Sequence, residues 1–147
     1  MNKFKLFIDI LIPVAIGGFI SLIINPYVDY NSLVQPPLSP PSIVFPIVWT
    51  ILYVLMGISY YLLKNPSKKE KIIYFVQLGV NALWSVFFFI GKFYLFSFIW
   101  IVLLDVLVIF MIGIFYHNNK ASAYLQIPYL IWILFATYLN LGIYILN

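Results

Sequence analysis

The sequence predicts an all-α fold: an integral membrane bundle of five transmembrane helices with a long Pro-rich first loop, forming one domain over residues 1–147. Two observations predict this class. Of the 147 residues, 65% are hydrophobic and 8% are charged, against about a quarter charged in an ordinary soluble domain. The apolar residues also run continuously, in five stretches each close to the roughly 20 residues that cross ~30 Å of hydrocarbon as a helix. A membrane barrel would instead alternate over about ten residues per strand. The composition therefore excludes a soluble enzyme, a disordered tail and a nucleic-acid module. With a mean hydropathy of +1.07, the pI of 9.2 reflects lysines in short loops facing an anionic membrane surface. Cysteine is absent and histidine occurs once, so no disulfide, thiolate metal site or dedicated metal centre is expected.

The first helix is expected over 4–24. Lys3 and Lys5 precede an apolar run too long for a signal-peptide core and not closed by a small-x-small cleavage site, so the segment reads as a retained helix. Pro13 is expected to bend it, and Gly17-xxx-Ser21 is a small-xxx-small pattern that permits close helix approach. Asp9, one turn after Lys5, needs only the membrane interface. Residues 25–42 contain Pro26, Pro36, Pro37, Pro40 and Pro41. Proline fixes φ and biases its predecessor away from helix, which predicts an ordered, extended lid or, more plainly, a spacer.

The second helix, 43–63, carries Trp49, Tyr53, Gly57 and Tyr60 on one face. In the third, 72–90, Gln77, Asn81, Trp84, Ser85 and Phe88 share a face at about 100° per residue. Gly91-Lys92 is so short that the fourth helix, 93–116, must return antiparallel. Asp105 lies near its middle, where an unpaired carboxylate is costly. It should be protonated or hydrogen-bonded to a Tyr, Asn or Ser, as a structural bond, a proton relay or an oligomer contact. His117 is expected in a surface loop. The fifth helix, 123–146, presents Tyr129, Trp132, Ala136 and Asn140, with Tyr144 a turn further, and Pro128 should kink it near 127–129.

Polar groups inside a membrane bundle need partners, so these stripes mark either a pocket or hydrogen-bonded helix packing. Trp49 and Trp132 are expected at roughly similar depth beneath the lid, with Trp132 somewhat the deeper, where two converging indoles would form a flat, apolar slot. Lysine placement sets the orientation: Lys3, Lys5, Lys64, Lys68, Lys69, Lys71 and Lys120 fall on one side and Lys92 alone on the other. The N-terminus is then cytoplasmic, with the first loop and C-terminus outside.

Several stretches resemble the TspO/MBR family (tryptophan-rich sensory protein, or translocator protein). Asn31-Ser32-Leu33, Pro36, Pro40-Pro41 and Val44-Phe45-Pro46-Ile47-Val48-Trp49-Thr50-Ile51-Leu52-Tyr53 are similar to its first loop and second helix. Gln77-Leu78, Asn81-Ala82-Leu83-Trp84-Ser85 and Phe87-Phe88 are similar to its third helix. Ile127-Pro128-Tyr129-Leu130-Ile131-Trp132 and Phe135-Ala136-Thr137-Tyr138-Leu139-Asn140 are similar to its fifth.

The resemblance covers nearly the whole chain and implies a homodimer in a bacterial cell membrane. It also implies a ligand pocket near the first loop that binds porphyrins such as protoporphyrin IX or another flat hydrophobic molecule, with no cofactor required. The implied ligand-binding residues are Pro41, Phe45, Trp49, Tyr53, Gln77, Asn81, Trp84, Phe88, Trp132, Ala136 and Asn140. Trp49 and Trp132 correspond to the pair to which light-dependent porphyrin degradation is attributed. Three departures stand out: Leu38 replaces an aromatic between the proline groups, Val34 and Gln35 replace basic residues before Pro36, and no basic residue follows Tyr138 or Tyr144, so sterol binding is not implied. The competing readings are a small-solute transporter, which the lack of inverted repeats disfavours, and a non-catalytic accessory subunit.

Overall fold

The structure, a computed structural model, describes residues 2–147. Helix α1 (Lys3–Ile24) begins where the Asn2 side chain accepts the Lys5 N–H at 3.1 Å, satisfying an orphan donor of the first turn. It runs through the buried Pro13 without ending. Two short 3-10 turns (Asn25–Tyr27 and Tyr30–Ser32) and the extended prolines lead to α2 (Val44–Leu62). Helix α3 (Lys68–Ser85) passes directly into a π-turn, Val86–Ile90, and α4 (Tyr94–Asn118) returns. The last span is made of α5 (Lys120–Leu125) and α6 (Ile127–Leu146). Five spans are thus long and apolar enough to cross a membrane, and no strand occurs among the described residues. The all-α, five-helix class expected from the sequence is the one observed.

The helix ends depart from hydropathy where capping decides them. Helix α3 starts at Lys68 and not at 72, because Ser67 and Glu70 form a capping box. The Ser67 hydroxyl accepts the Glu70 N–H at 3.2 Å, and the Glu70 carboxylate accepts the Ser67 N–H at 3.3 Å. The charged first turn is therefore helical without an apolar face. The fifth span starts at Lys120, capped by the Asn119 side chain, which accepts the Ala121 N–H at 2.9 Å. Its break falls at Gln126, and Pro128 occupies the first turn of α6, where its missing N–H costs nothing. His117 lies in the exposed last turn of α4 and not in a loop.

Helix α2 packs on α1 and α5, and α4 packs on α3, α5 and α6. The α1–α2 seam is close: a Cβ on Gly57 would run into the backbone of Asp9 and Ile10. Asp9 is buried in this seam, not at a free interface, and its carboxylate accepts from the Lys5 ammonium at 2.6 Å. The ammonium also lies 5.7 Å and 5.3 Å from the ring centres of Tyr60 and Tyr61, within cation–π range.

At the lysine-rich end two asparagines tie the connections together. Asn118 accepts the Lys64 N–H at 2.8 Å and donates to the Lys64 carbonyl at 3.0 Å and the Glu70 carboxylate at 2.8 Å. Asn119 donates to the Leu62 carbonyl at 3.0 Å. One layer inward, Ser59 and Ser122 each donate to the other's carbonyl at 2.7 Å, and Gln126 donates to the Ser59 hydroxyl at 3.0 Å. Deeper still, Asp105 accepts from Thr137 at 2.7 Å, so the carboxyl is partnered by a threonine of α6 and not by a tyrosine, asparagine or serine.

The Pro-rich segment is held at the other end by α6. Tyr138 donates to the Pro37 carbonyl at 2.6 Å. The Asn147 side chain accepts the Val34 N–H at 3.0 Å and donates to the Val34 carbonyl at 2.8 Å. Gly142 permits this approach, since a Cβ there would overlap the Pro36 ring. At the outermost point Leu38 takes φ 71° with its side chain in the open.

Candidate functional site

Beneath the Pro-rich segment lies a cavity of about 560 Å³, within the roughly 300–1,000 Å³ of small-molecule sites. Four spans and the loop build it. Helix α2 supplies Phe45, Trp49 and Tyr53. Helix α3 and its π-turn supply Trp84, Phe88 and Phe89, and α6 supplies Trp132, Ala136 and Asn140. Helix α1 lines the remaining side with Gly17, Gly18 and Ser21, and Tyr30 of the loop adds to the wall.

The aromatic rings are locked in register by one another. Trp49 stacks on Tyr53 (centroids 5.6 Å, 26°) and meets Tyr129 edge-on at 6.3 Å. Trp132 meets Trp49 at 6.4 Å and 87°, and Phe45 at 5.8 Å and 62°. The two indoles do converge, but they touch edge to face and leave no slot between them. They form a corner of the cavity, while Trp84 stacked on Phe88 (5.3 Å, 30°) forms another wall. Trp132 is not the deeper of the pair. It contacts Phe45 near the loop end of α2, whereas Trp49 reaches Tyr53 and Tyr129 further in.

Behind the wall, a buried amide network fixes these rings. Tyr53 donates to the Asn81 carbonyl oxygen at 2.8 Å, the Asn81 amide donates to the Tyr129 hydroxyl at 2.9 Å, and Tyr129 donates to Gln77 at 2.8 Å. A second network crosses three helices: the Trp84 indole donates to Asn140 at 2.9 Å, and Asn140 donates to the Tyr94 carbonyl at 2.8 Å. That carbonyl sits in the first turn of α4. Tyr30, outside the spans, is buried against Phe45 (5.0 Å) and donates to the Pro40 carbonyl at 3.3 Å. Burial raises its pKa above the ordinary phenol value, with the Ser39 side chain pulling the other way.

Of the residues singled out from the sequence, Phe45, Trp49, Tyr53, Trp84, Phe88, Trp132, Ala136 and Asn140 line the cavity. Gln77 and Asn81 do not. Both are core groups, Asn81 one hydrogen bond behind Tyr53 and Gln77 beyond Tyr129. Pro41 is also outside the wall: it is exposed, and its carbonyl accepts the Val44 N–H at 3.0 Å as α2 begins. What sequence reading missed was α1. Gly17 lets the Tyr53 ring lie across that helix, since a Cβ there would overlap the ring. Gly18 faces open space and Ser21 lines the same side. The signal was present in Gly17-xxx-Ser21, but such a pattern does not say whether a helix or a ligand fills the gap.

The π-turn was likewise unannounced. The Gly91 N–H reaches the Val86 carbonyl at 3.0 Å, one residue further back than an α-helix allows, and the widened turn brings both Phe88 and Phe89 to the cavity. Such turns recur at functional sites. No cluster of potential metal ligands exists among the described residues.

Comparison with known sequences agrees with this anatomy. The model of the TspO/MBR family matches residues 10–146. The Tryptophan-rich protein TspO of Archaeoglobus fulgidus is 40% identical over 153 aligned positions, covering 100% of this chain and 99% of that protein. A protein of the same name from Chlorobaculum tepidum is 36% identical, over 80% of this chain and 78% of its own length. The Translocator protein homolog of Schizosaccharomyces pombe is 34% identical, over 93% and 88%.

Proposed function

The chain belongs to the TspO/MBR family of integral membrane proteins, and from that premise we propose that it is a receptor for a flat tetrapyrrole of the protoporphyrin type. The observation that carries this reading is the cavity, with the rings of Phe45, Trp49, Tyr53, Trp84, Phe88 and Trp132 around one space. A conjugated macrocycle gains from such walls twice, by burial and by aromatic contacts worth about 0.5–1.5 kcal/mol each beyond burial. The two amide networks hold the rings in place before the ligand arrives, so little ordering cost falls on binding.

Light-dependent loss of the bound porphyrin is the second half of the reading. The porphyrin absorbs the light and is the group oxidised, and dioxygen is the group reduced. The electron-rich indoles of Trp49 and Trp132 are placed to relay the electron, each giving one up to the excited porphyrin, which passes it to dioxygen, and regaining one from the porphyrin. Their edge contact at 6.4 Å favours treating them as a unit. The lysine bias supports a cytoplasmic N-terminus with the cavity toward the outer face of a cell membrane, and family likeness supports a homodimer.

Added protoporphyrin should quench tryptophan fluorescence saturably. A Trp49→Phe/Trp132→Phe variant should keep its helical circular dichroism but lose the light-driven bleaching of bound porphyrin. No saturable quenching would sink the receptor; undiminished bleaching in the double variant would sink the photochemistry.

A further inference from the structure

Asp105 is buried near the middle of its span. From there to the end of α4 at Asn118 is about 20 Å at 1.5 Å per residue. The elements packed on α4 are α3, the π-turn, α5 and α6, and none brings a cation to that depth. Helix α6 and the π-turn contain no Lys, His, Asp or Glu. The charged groups of α3 (Lys68, Lys69, Glu70 and Lys71) and of α5 (Lys120) stand in the first turns at the lysine-rich end. His117 lies in the last turn of α4 itself. The other titratable groups on the packed elements are phenols. Tyr129 and Tyr138 of α6 donate to Gln77 and Pro37, Tyr74 of α3 stacks on Tyr60, and Tyr124 and Tyr144 are exposed.

A count of protons then fixes the state of the carboxyl. The Thr137 hydroxyl lies 2.7 Å from Asp105 Oδ2 and 2.7 Å from the Ile133 carbonyl oxygen, one turn back on α6. A hydroxyl carries a single proton. With Asp105 ionised, Thr137 gives that proton to the carboxylate, and its oxygen then faces the Ile133 carbonyl at hydrogen-bond distance with no proton between them. Asp105 Oδ1, moreover, has no hydrogen-bond partner, so part of the negative charge would stand bare in the membrane interior, at high cost. A proton on Oδ2 removes both faults. Asp105 then donates to Thr137, Thr137 donates to Ile133, and Oδ1 is left as a neutral carbonyl, far less costly to bury unpaired than an anion.

We infer that Asp105 is a proton-binding site in the membrane interior, held at neutral pH as the uncharged acid, whose O–H reverses the direction of the bond to Thr137. The proton ties α4 to α6 beside Ala136, which lines the cavity. The site is independent of what fills that cavity.

The test is infrared spectroscopy of the protein in lipid at pH 7. An aspartic acid with the ordinary pKa of about 3.9 keeps its proton in roughly one molecule in a thousand there. Wild type should nevertheless show the carbonyl stretch of a protonated carboxyl, moving down in D2O, and Asp105→Asn should lose it. Should Asp105→Asn not fold, carbon-13 at the aspartate carboxyl identifies the band in the wild type by its isotope shift. The other aspartates are Asp9, bound to Lys5, and Asp29, which is exposed. Thr137→Val removes the acceptor and should move the band to higher frequency, whereas Thr137→Ser should leave it in place.

A wild type without the band would overturn the inference. So would a band that carbon-13 aspartate leaves unshifted or that Asp105→Asn retains. A band indifferent to Thr137→Val would do the same, because the proton would then lie elsewhere.

Discussion

Among single residues, Asn81 has the clearest consequence. It touches no part of the cavity, yet its amide holds Tyr53 on one side and Tyr129 on the other, and both rings contact Trp49. Replacing it by Leu keeps the volume close but strands the Tyr53 hydroxyl. Stability should fall by about 0.6–1.7 kcal/mol, from the average to the largest value for an interhelical hydrogen bond in a membrane, read as a lower thermal midpoint in detergent. Porphyrin affinity should fall with it, although no atom of the wall has changed. The sequence showed Asn81, Gln77 and Asn140 as polar groups needing partners, but periodicity fixes a helical face and not a depth along the radius. Whether an amide faces a ligand or stands one side chain behind it depends on the length of its partner, here the phenol of Tyr53.

Helices in this bundle meet where side chains are missing. Gly57 brings α2 onto the backbone of α1, and the neighbouring helix has no flexible side chain to move aside. Gly57→Leu should force the pair apart at a cost of about 1–3 kcal/mol. Its signature would be a lower unfolding midpoint together with a changed tryptophan emission, since α1 also lines the cavity. A Gly79→Leu control, where an added Cβ has nothing within 4 Å, should unfold near the wild-type temperature. The existence of each span was legible because twenty apolar residues leave few alternatives. The start of α3 at Lys68 was not, because the reciprocal bonds of Ser67 and Glu70 carry no hydropathy. Nor was the π-turn: Val86–Ile90 has the composition of any α-helical turn, and only the packing of Phe88 and Phe89 distinguishes it.

At the scale of the whole molecule, the loop expected to be an ordered lid is fastened by α6 across a sequence distance no pattern could bridge. Tyr138 and Asn147 reach Pro37 and Val34. Tyr138→Phe with Asn147→Ala should release that fastening while leaving the cavity wall intact. Ligand association and dissociation should both quicken in stopped-flow quenching, with a smaller change in the equilibrium constant. Equal rates in variant and wild type would show that the loop does not control access.

The asparagine ties at the opposite end give the bundle the mechanics of a clothes-peg. Asn118 and Asn119 bind the connections between α2 and α3 and between α4 and α5 into one knot, so the spans have a fulcrum there and jaws at the far rim. Deuterium uptake on warming should therefore begin at the rim and reach the knot last. Cutting Asn118 to Ala should abolish that order, and the jaws would lose the stiffness that lets them grip anything wedged between them.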